Sequence, residues 1–490
     1  MAKDVHPPRG MRDFLPVEKL KRDSVLSIIR EAYVSHGFQE IETPALENLE
    51  RLTSGQGGDN EKLAFRIMKR GDELERALIE KTFDSADHLA DLGLRYDLTV
   101  PLTRYFATNR SKLPRVFKSI QTGPVWRAER PQKGRYRQFV QCDIDIIGDP
   151  GILAEIELLC ASLAALDAIG LKDARIRFND RRFLAGFAEA SKIPNENFGE
   201  ALIELDKLDK SSMAEVTEAI RPLTNDPISL SATMQKLFAE ENTKLAKIAK
   251  VVSESAVVSV GKQVQEYRNN VIEKILEGLP KPLRINFPEF KISGSFLEYF
   301  NGAQEEIEEV RAAAPRALNA DEALQDLIEI INAVESRFGK GRLRFDPTLV
   351  RGMGYYTGTI FEIEHPQSGS SIGGGGRYDG MIGRWTGEEV PAVGISIGFE
   401  RAVDLVPDTL VSKAPMRLVL VLDDTSAGTI GVALARQKDL FEHGYGVRLE
   451  QRPKKLNLLL DSLAEQGFTH FATVGADSNS FESLDIKPIA

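Results

Sequence analysis

Two cysteines in 490 residues, Cys142 and Cys160, are too few for a disulfide framework and lack the paired spacing of a zinc site. Such thiol usage suits a reducing cytosol. The chain also lacks a long apolar run: nothing approaches the about 18 residues needed to cross a bilayer, and the opening MAKDVHPPRGMRDFLP has no signal-peptide hydrophobic region. A soluble cytoplasmic protein is expected. Net positive charge is missing too, because 73 acidic residues outweigh 63 basic ones and leave a formal charge of -10. That balance argues against sequence-independent coating of nucleic acid, yet it permits a local basic patch that receives one RNA. The length exceeds what one compact core serves, so two or three domains are expected.

Against this background one stretch reverses the charge. Between Arg110 and Arg137 nine Lys or Arg stand against one carboxylate, Glu129. Like charges this dense repel unless an anion joins them, and phosphate is the anion that the planar fork of Arg suits best. The stretch reads as a strand, a polar loop from about Arg130 to Arg137, and a second strand, QFVQCDIDIIG. Alternation puts Val140, Cys142, Ile144 and Ile146 on one face of that strand and Gln141, Asp143 and Asp145 on the other. Gln121 and Arg127 share a face of the first strand, so a hairpin carries a guanidinium toward Gln141 and Asp145. A solvated antiparallel hairpin is the bland alternative; the density of cations favours a site.

Residues 1 to about 180 alternate helices with antiparallel-looking strands, and from about 182 to 320 the pattern becomes charged and helical without a catalytic constellation. After Lys413 and Pro415 come the strand MRLVLVLDD, a helix, the strand YGVRLEQ, a second helix and the strand FTHFATVG, with Gly444 and Gly467 expected to end the two helices. That alternation predicts a small parallel α/β domain. The glycine run Gly373 to Gly376 lacks the Lys-Ser or Lys-Thr of a phosphate loop, and glycines there would allow close backbone approach instead.

The pattern GPVWRAERPQKGRYRQFVQCDIDIIG resembles motif 2 of the class II aminoacyl-tRNA synthetases, in particular histidyl-tRNA synthetase. LVRGMGYYTGTIFEI at 349 to 363 and SSIGGGGRYDGMIG at 370 to 383 resemble signatures of that family, PAVGISIGFERAV at 391 to 403 resembles motif 3, and SVLSIIREAYVSHGFQEIETPALE resembles motif 1. The five run in family order. The resemblance implies an α+β class II catalytic domain, an antiparallel sheet flanked by helices, interrupted by a helical insertion and followed by an α/β domain of the anticodon-binding type. Its expected boundaries are 1–181 and 321–410 for the core, 182–320 for the insertion and 415–490 for the tail domain, whose final elements are expected to be short or missing.

What the resemblance implies for chemistry is histidine–tRNA ligation: histidine and ATP form histidyl-adenylate and pyrophosphate, and histidine then passes to the 3′ end of histidine tRNA. Arg127 and Arg351 become the catalytic cations around the α-phosphate, and both also contact histidine. Asp97, Thr99 and Gln141 would hold the α-ammonium, Asp145 and Tyr356 the imidazole, and Tyr355 would line the pocket. Arg127, Glu129, Arg135, Phe139 and Arg401 would bind ATP, with Mg²⁺ on its β- and γ-phosphates, while Arg130 and Gln132 would read the tRNA acceptor end. A homodimer is implied as well. Gly354 departs from the family, which usually has Asp there. Two rivals share the core: a catalytically inactive regulatory subunit of ATP phosphoribosyltransferase, which would be expected to have lost parts of the Arg and Tyr set, and a class II synthetase for threonine, proline or glycine.

Overall fold

The computed structural model describes residues 5–53, 63–80, 86–131, 134–209, 211–235, 320–350, 356–407, 410, 416–478 and 480–489. Gln132, Arg351, Gly354 and Tyr355, together with residues 236–319 of the expected insertion, lie outside the described residues. The strands in chain order are β1 (Gln39–Glu40), β2 (Leu46–Asn48), β3 (Arg66–Met68), β4 (Ala90–Leu94), β5 (Phe117–Trp126), β6 (Gln138–Ile147), β7 (Arg175–Asp180), β8 (Leu343–Phe345), β9 (Thr359–Glu364), β10 (Gly373–Arg377), β11 (Ala392–Gly398), β12 (Arg417–Leu422), β13 (Gly446–Gln451), β14 (His470–Val474) and β15 (Lys487–Pro488).

Pairing of these strands makes one large sheet in the order β1-β5-β6-β11-β10-β9-β7-β8, a three-stranded sheet β2-β4-β3 and a separate four-stranded sheet β13-β12-β14-β15. The six central strands of the large sheet run antiparallel, as expected, but β1 joins β5 and β8 joins β7 in parallel, so the sheet is mixed. Both parallel additions are two or three residues long at an edge, too short for a periodic signal. β7 and β8 are separated in the chain by residues 181–342, a span that opens with the helix Arg181–Ala190, and they pair side by side.

The chain forms two units, one of Ala32–Asp167 with Leu171–Ala402 and one of Met1–Glu31, Ala168–Gly170 and Val403–Ala490. In the larger unit, the helices Thr99–Asn109 and Gly380–Thr386 pack Val100, Phe106, Met381 and Ile382 with Phe117 and Ile147 of the hairpin β5/β6. Burying an aromatic such as Phe117 contributes about 1.5–3 kcal/mol relative to leaving it in water, and that packing fixes the hairpin against the helices.

In the smaller unit, the run RLVLVL of β12 is apolar at every alternate face, which only a strand covered on both sides can use. Leu418, Leu420 and Leu422 pack with Ala433 and Leu440 of the helix Ala427–Glu442, while Val419 and Val421 pack with Leu463 of the helix Leu456–Glu465. β13 and β14 pair with β12 in parallel, as the strand-helix alternation predicts. Gly444 and Gly467 follow the two helices at φ +83° and +85°, the left-handed cap conformation that a Cβ disfavours. Among the described residues no helix is long and apolar enough to cross a membrane.

Candidate active site

The centre of the site is one face of β5, β6, β11 and β10. Directly opposed residues of antiparallel strands share a face, so the register Gly123–Gln141–Gly398, Gln121–Asp143–Ser396 and Asp145–Gly394–Gly376 assembles a single surface. The expected alternation holds, with Cys142, Ile144 and Ile146 fully buried on the other face. A solvated hairpin is excluded, because Gln141, Asp143 and Asp145 are only 8%, 4% and 2% exposed. Glycines around these side chains leave the surface recessed. A Cβ on Gly394 would sit 1.9 Å from Asp145 Oδ1, and one on Gly376 would sit 3.0 Å from the Tyr356 ring.

Buried polar atoms in native proteins nearly always have a partner, and one left without costs about 1–3 kcal/mol. Among the described residues Asp145 has one hydrogen-bond partner: Tyr378 Oη donates to its Oδ1 at 2.6 Å. Its second oxygen, Oδ2, has no hydrogen-bond partner among the described residues, and neither does Gln141 Oε1. Two acceptors thus stand ready on the same strand face. Burial pushes the Asp145 carboxyl up to about 7, an effect the Tyr378 hydrogen bond opposes and the charge of Asp97 reinforces. Burial, followed by the neighbouring Asp145, also holds the Asp143 carboxyl well above the usual carboxylate range.

At the hairpin end, Arg127 is half-buried. Its Nε donates to Tyr96 O at 3.0 Å, and its guanidinium carbon lies 5.0 Å from the centre of the Phe139 ring. Glu129 pairs with Arg135 at 3.5 Å. Arg401, in the first turn after β11, donates from Nε to Gly134 O at 3.1 Å and from Nη1 to Ser371 O, so it ties the loop of the hairpin to the approach of β10. Next to it, Glu400 accepts from Val140 N at 3.2 Å.

The sequence model of the histidyl-tRNA synthetase family matches residues 10–287 and 284–402, most of the chain. The chain belongs to the histidyl-tRNA synthetase family. It is 45% identical to a histidine–tRNA ligase of Leifsonia xyli subsp. xyli over 494 residues, covering all of this chain and 99% of that one. A probable histidine–tRNA ligase of Tropheryma whipplei is 38% identical over 465 residues, 95% of this chain and 94% of the other. The fold is similar to solved structures of histidyl-tRNA synthetase from Nostoc sp. PCC 7120, with TM-score 0.68 and 23% identity over 99% and 97% of the two chains, and of an ATP phosphoribosyltransferase regulatory subunit/histidyl-tRNA synthetase from Bacillus halodurans, with TM-score 0.68 and 18% identity over 96% and 98%.

In this synthetase the expected site residues fall into three groups. Gln141 and Asp145 share the recessed face, and Tyr356 packs with Tyr378 on the adjoining core. Asp97 precedes the helix Thr99–Asn109 and its Oδ1 accepts from Val100 N at 3.1 Å, so it caps that helix while remaining 8% exposed. Thr99 opens the helix and is half-buried. Arg127 and Phe139 meet, Glu129 and Arg135 meet, and Arg130 is exposed in the loop. Arg351, Tyr355 and Gln132 lie outside the described residues.

Sequence reasoning missed Tyr378, Ser396, Glu400 and the support of the glycine strand. Arg377, the last residue of β10, makes a two-pronged pair with Glu155, Nε to Oε1 and Nη2 to Oε2, both at 2.6 Å. Thr359 Oγ1 also donates to Glu155 Oε1 at 3.0 Å, and Arg377 reaches the carbonyls of Asp149 and Gly151. This cluster fixes the backbone one residue before Tyr378. The signal for it was the sequence GGGGRYD, where polar residues directly follow a strand with no side chains of its own.

Proposed function

We propose that Asp145 and Gln141 hold the histidine that this chain, a histidine–tRNA ligase, activates with ATP. The observation that carries this placement is the pair of buried acceptors, Asp145 Oδ2 and Gln141 Oε1, that lack a partner among the described residues. Neutral histidine offers an imidazole N–H at one end and an ammonium at the other, and a selective pocket needs an acceptor for each. The N–H donates to Asp145 Oδ2 and the ammonium to Gln141 Oε1, with Asp97 and Thr99 adding to the ammonium site. Tyr356 serves the second ring nitrogen and Tyr355 lines the pocket. Tyr378, already bound to Asp145, keeps that carboxylate aimed.

The substrate carboxylate attacks the α-phosphorus of ATP, forming the acyl-phosphate bond and breaking the bond to the leaving pyrophosphate. Negative charge gathers on the phosphoryl oxygens, and Arg127 and Arg351 stabilise it. Glu129, Arg135, Phe139 and Arg401 hold the nucleotide. Mg²⁺ brought with ATP would neutralise charge on the β- and γ-phosphates, and the half-buried Glu129, paired with Arg135 at 3.5 Å, is the carboxylate of the nucleotide group that would share in holding it. A terminal ribose hydroxyl of histidine tRNA then attacks the adenylate carbonyl and AMP leaves. Arg130 and Gln132 contact the acceptor end, and the unit around 415–490 takes the anticodon. The setting is the cytoplasm. The inactive regulatory subunit is not favoured: a ligase 45% identical over the full length is among the relatives, and Arg127, Arg401 and Tyr356 are all retained. ATP–pyrophosphate exchange run with each amino acid tests the assignment. Histidine alone is expected to support exchange; threonine, proline or glycine doing so would move the chain to another specificity.

The ligase assembles as a homodimer. In the helix Pro16–Ser35, Val25 and Ile29 are buried within the subunit, but Val34 is 57% exposed, and β1 is an exposed sheet edge beyond it. Light scattering at micromolar concentration is expected to give twice the 54.3 kDa chain mass. A fully active monomer would exclude it.

A further inference from the structure

The two ends of a glutamine amide have nearly the same shape and opposite chemistry, since the oxygen accepts and the NH₂ only donates. Only one orientation of Gln141 can receive an ammonium. Its orientation is set by what lies behind it, and the residues behind it come from two strands. Gln141 Nε2 donates to Ser396 Oγ of β11 at 3.1 Å and lies 3.3 Å and 3.4 Å from the two oxygens of Asp143 on β6. Asp143 and Ser396 oppose each other directly in the register, so both stand behind the Gln141 amide. With these acceptors within 3.1–3.4 Å of Nε2, the NH₂ end faces Asp143 and Ser396 and Oε1 faces the recess.

We propose that Asp143, seconded by Ser396, is a positioning residue for histidine recognition: it locks the Gln141 amide so that Oε1 is presented to the substrate α-ammonium. The inference rests on the placement of the ammonium at Gln141. Asp143 acts through Gln141 and not as a counter-charge in contact with substrate.

The consequence is a defect confined to ligands that carry the ammonium. Asp143→Ala is expected to raise the KM for histidine about tenfold, the scale of one hydrogen bond to a charged group, with kcat in pyrophosphate exchange near wild type. Histamine, which keeps the ammonium and the imidazole, is expected to lose about as much potency as an inhibitor. 3-(Imidazol-4-yl)propionate, which lacks the ammonium, is expected to inhibit both proteins equally. Asp143→Asn keeps an acceptor for Nε2 and is expected to restore the KM to within about threefold; a loss in Asn as large as in Ala would show that the negative charge itself binds substrate and would overturn the proposal. Ser396→Ala, which removes no charge, is expected to shift KM by about threefold with the same ligand selectivity, and keeps the test available if Asp143→Ala does not fold. Equal losses for histamine and the propionate in either variant would also overturn it. Gln141→Ala separates the two levels. If it leaves the histidine KM unchanged, the ammonium site itself is misplaced; if it raises KM about tenfold while Asp143→Ala and Ser396→Ala do not, the site stands and the lock is wrong. In the Gln141→Ala background, Asp143→Ala is expected to add nothing further.

Discussion

Arg127→Ala is expected to slow adenylate formation by about 10²- to 10³-fold, the scale on which removal of a preorganised charge-stabilising donor is felt. The side chain is prepared for this role before substrate arrives. Its Nε is fixed on Tyr96 O at 3.0 Å and its guanidinium lies 5.0 Å from the Phe139 ring, so little ordering remains to be done when charge develops on the phosphoryl oxygens. The KM for histidine is expected to move far less than kcat, because the charge that Arg127 stabilises is greatest in the transition state. Arg127→Lys is not expected to restore the rate: one ammonium cannot keep the bond to Tyr96 and at the same time offer a planar fork to phosphate. Single-turnover pyrophosphate release at saturating histidine and ATP measures this. A variant with near wild-type rate and a raised histidine KM would remove Arg127 from the phosphoryl transfer step.

The largest effect on stability is expected at Glu155. Its carboxylate and the Arg377 guanidinium are 2% and 10% exposed and share two contacts of 2.6 Å. Removing one partner of such a pair costs about 3–5 kcal/mol where the other charge is left unpaired; Arg377 keeps Asp379 at 3.3 Å and two carbonyls, which places the expected cost at the lower end of that range. Glu155→Ala is therefore expected to lower the thermal midpoint by several degrees and, because Arg377 precedes Tyr378, to weaken histidine binding as well. Glu157, two residues on, supplies the contrast. Its pair with Lys118 at 2.7 Å is 34% and 25% exposed, a setting in which an ion pair contributes about 0–1 kcal/mol. Glu157→Ala is expected to melt close to wild type in the same thermal scan. If the two variants melted together, the buried cluster would not be what secures the end of β10.

The strand β6 was legible in the sequence because alternation of Gln141, Asp143 and Asp145 with Cys142, Ile144 and Ile146 is a local, period-two signal. Depth was not legible. Polar alternation ordinarily marks a solvated face, and the residues that cover these side chains include Tyr378, which follows β10, and Ser396 of β11. Those partners are 233 and 255 residues away from Asp145 and Gln141 in the chain, a pairing that no local period encodes. The parallel α/β unit was visible for the opposite reason: RLVLVL, its two helices and their terminal Gly444 and Gly467 are all short-range features. Its fourth strand, β15, is two residues long and escaped notice. Asp97 shows a different limit. As a residue type ahead of a helix it fits both a cap and an ammonium ligand, and its bond to Val100 N shows that one oxygen serves the helix.

The histidine dependence of ATP–pyrophosphate exchange in Asp145→Ala, measured beside wild type, bears most directly on the pocket. Removing the acceptor leaves the imidazole N–H of bound histidine unpaired, at a cost of about 1–3 kcal/mol and more if the bond is charge-assisted. The KM for histidine is therefore expected to rise by about one to two orders of magnitude while the rate at saturating histidine stays within a few fold of wild type. An unchanged KM with a collapsed saturated rate would contradict the assignment of Asp145 to the imidazole.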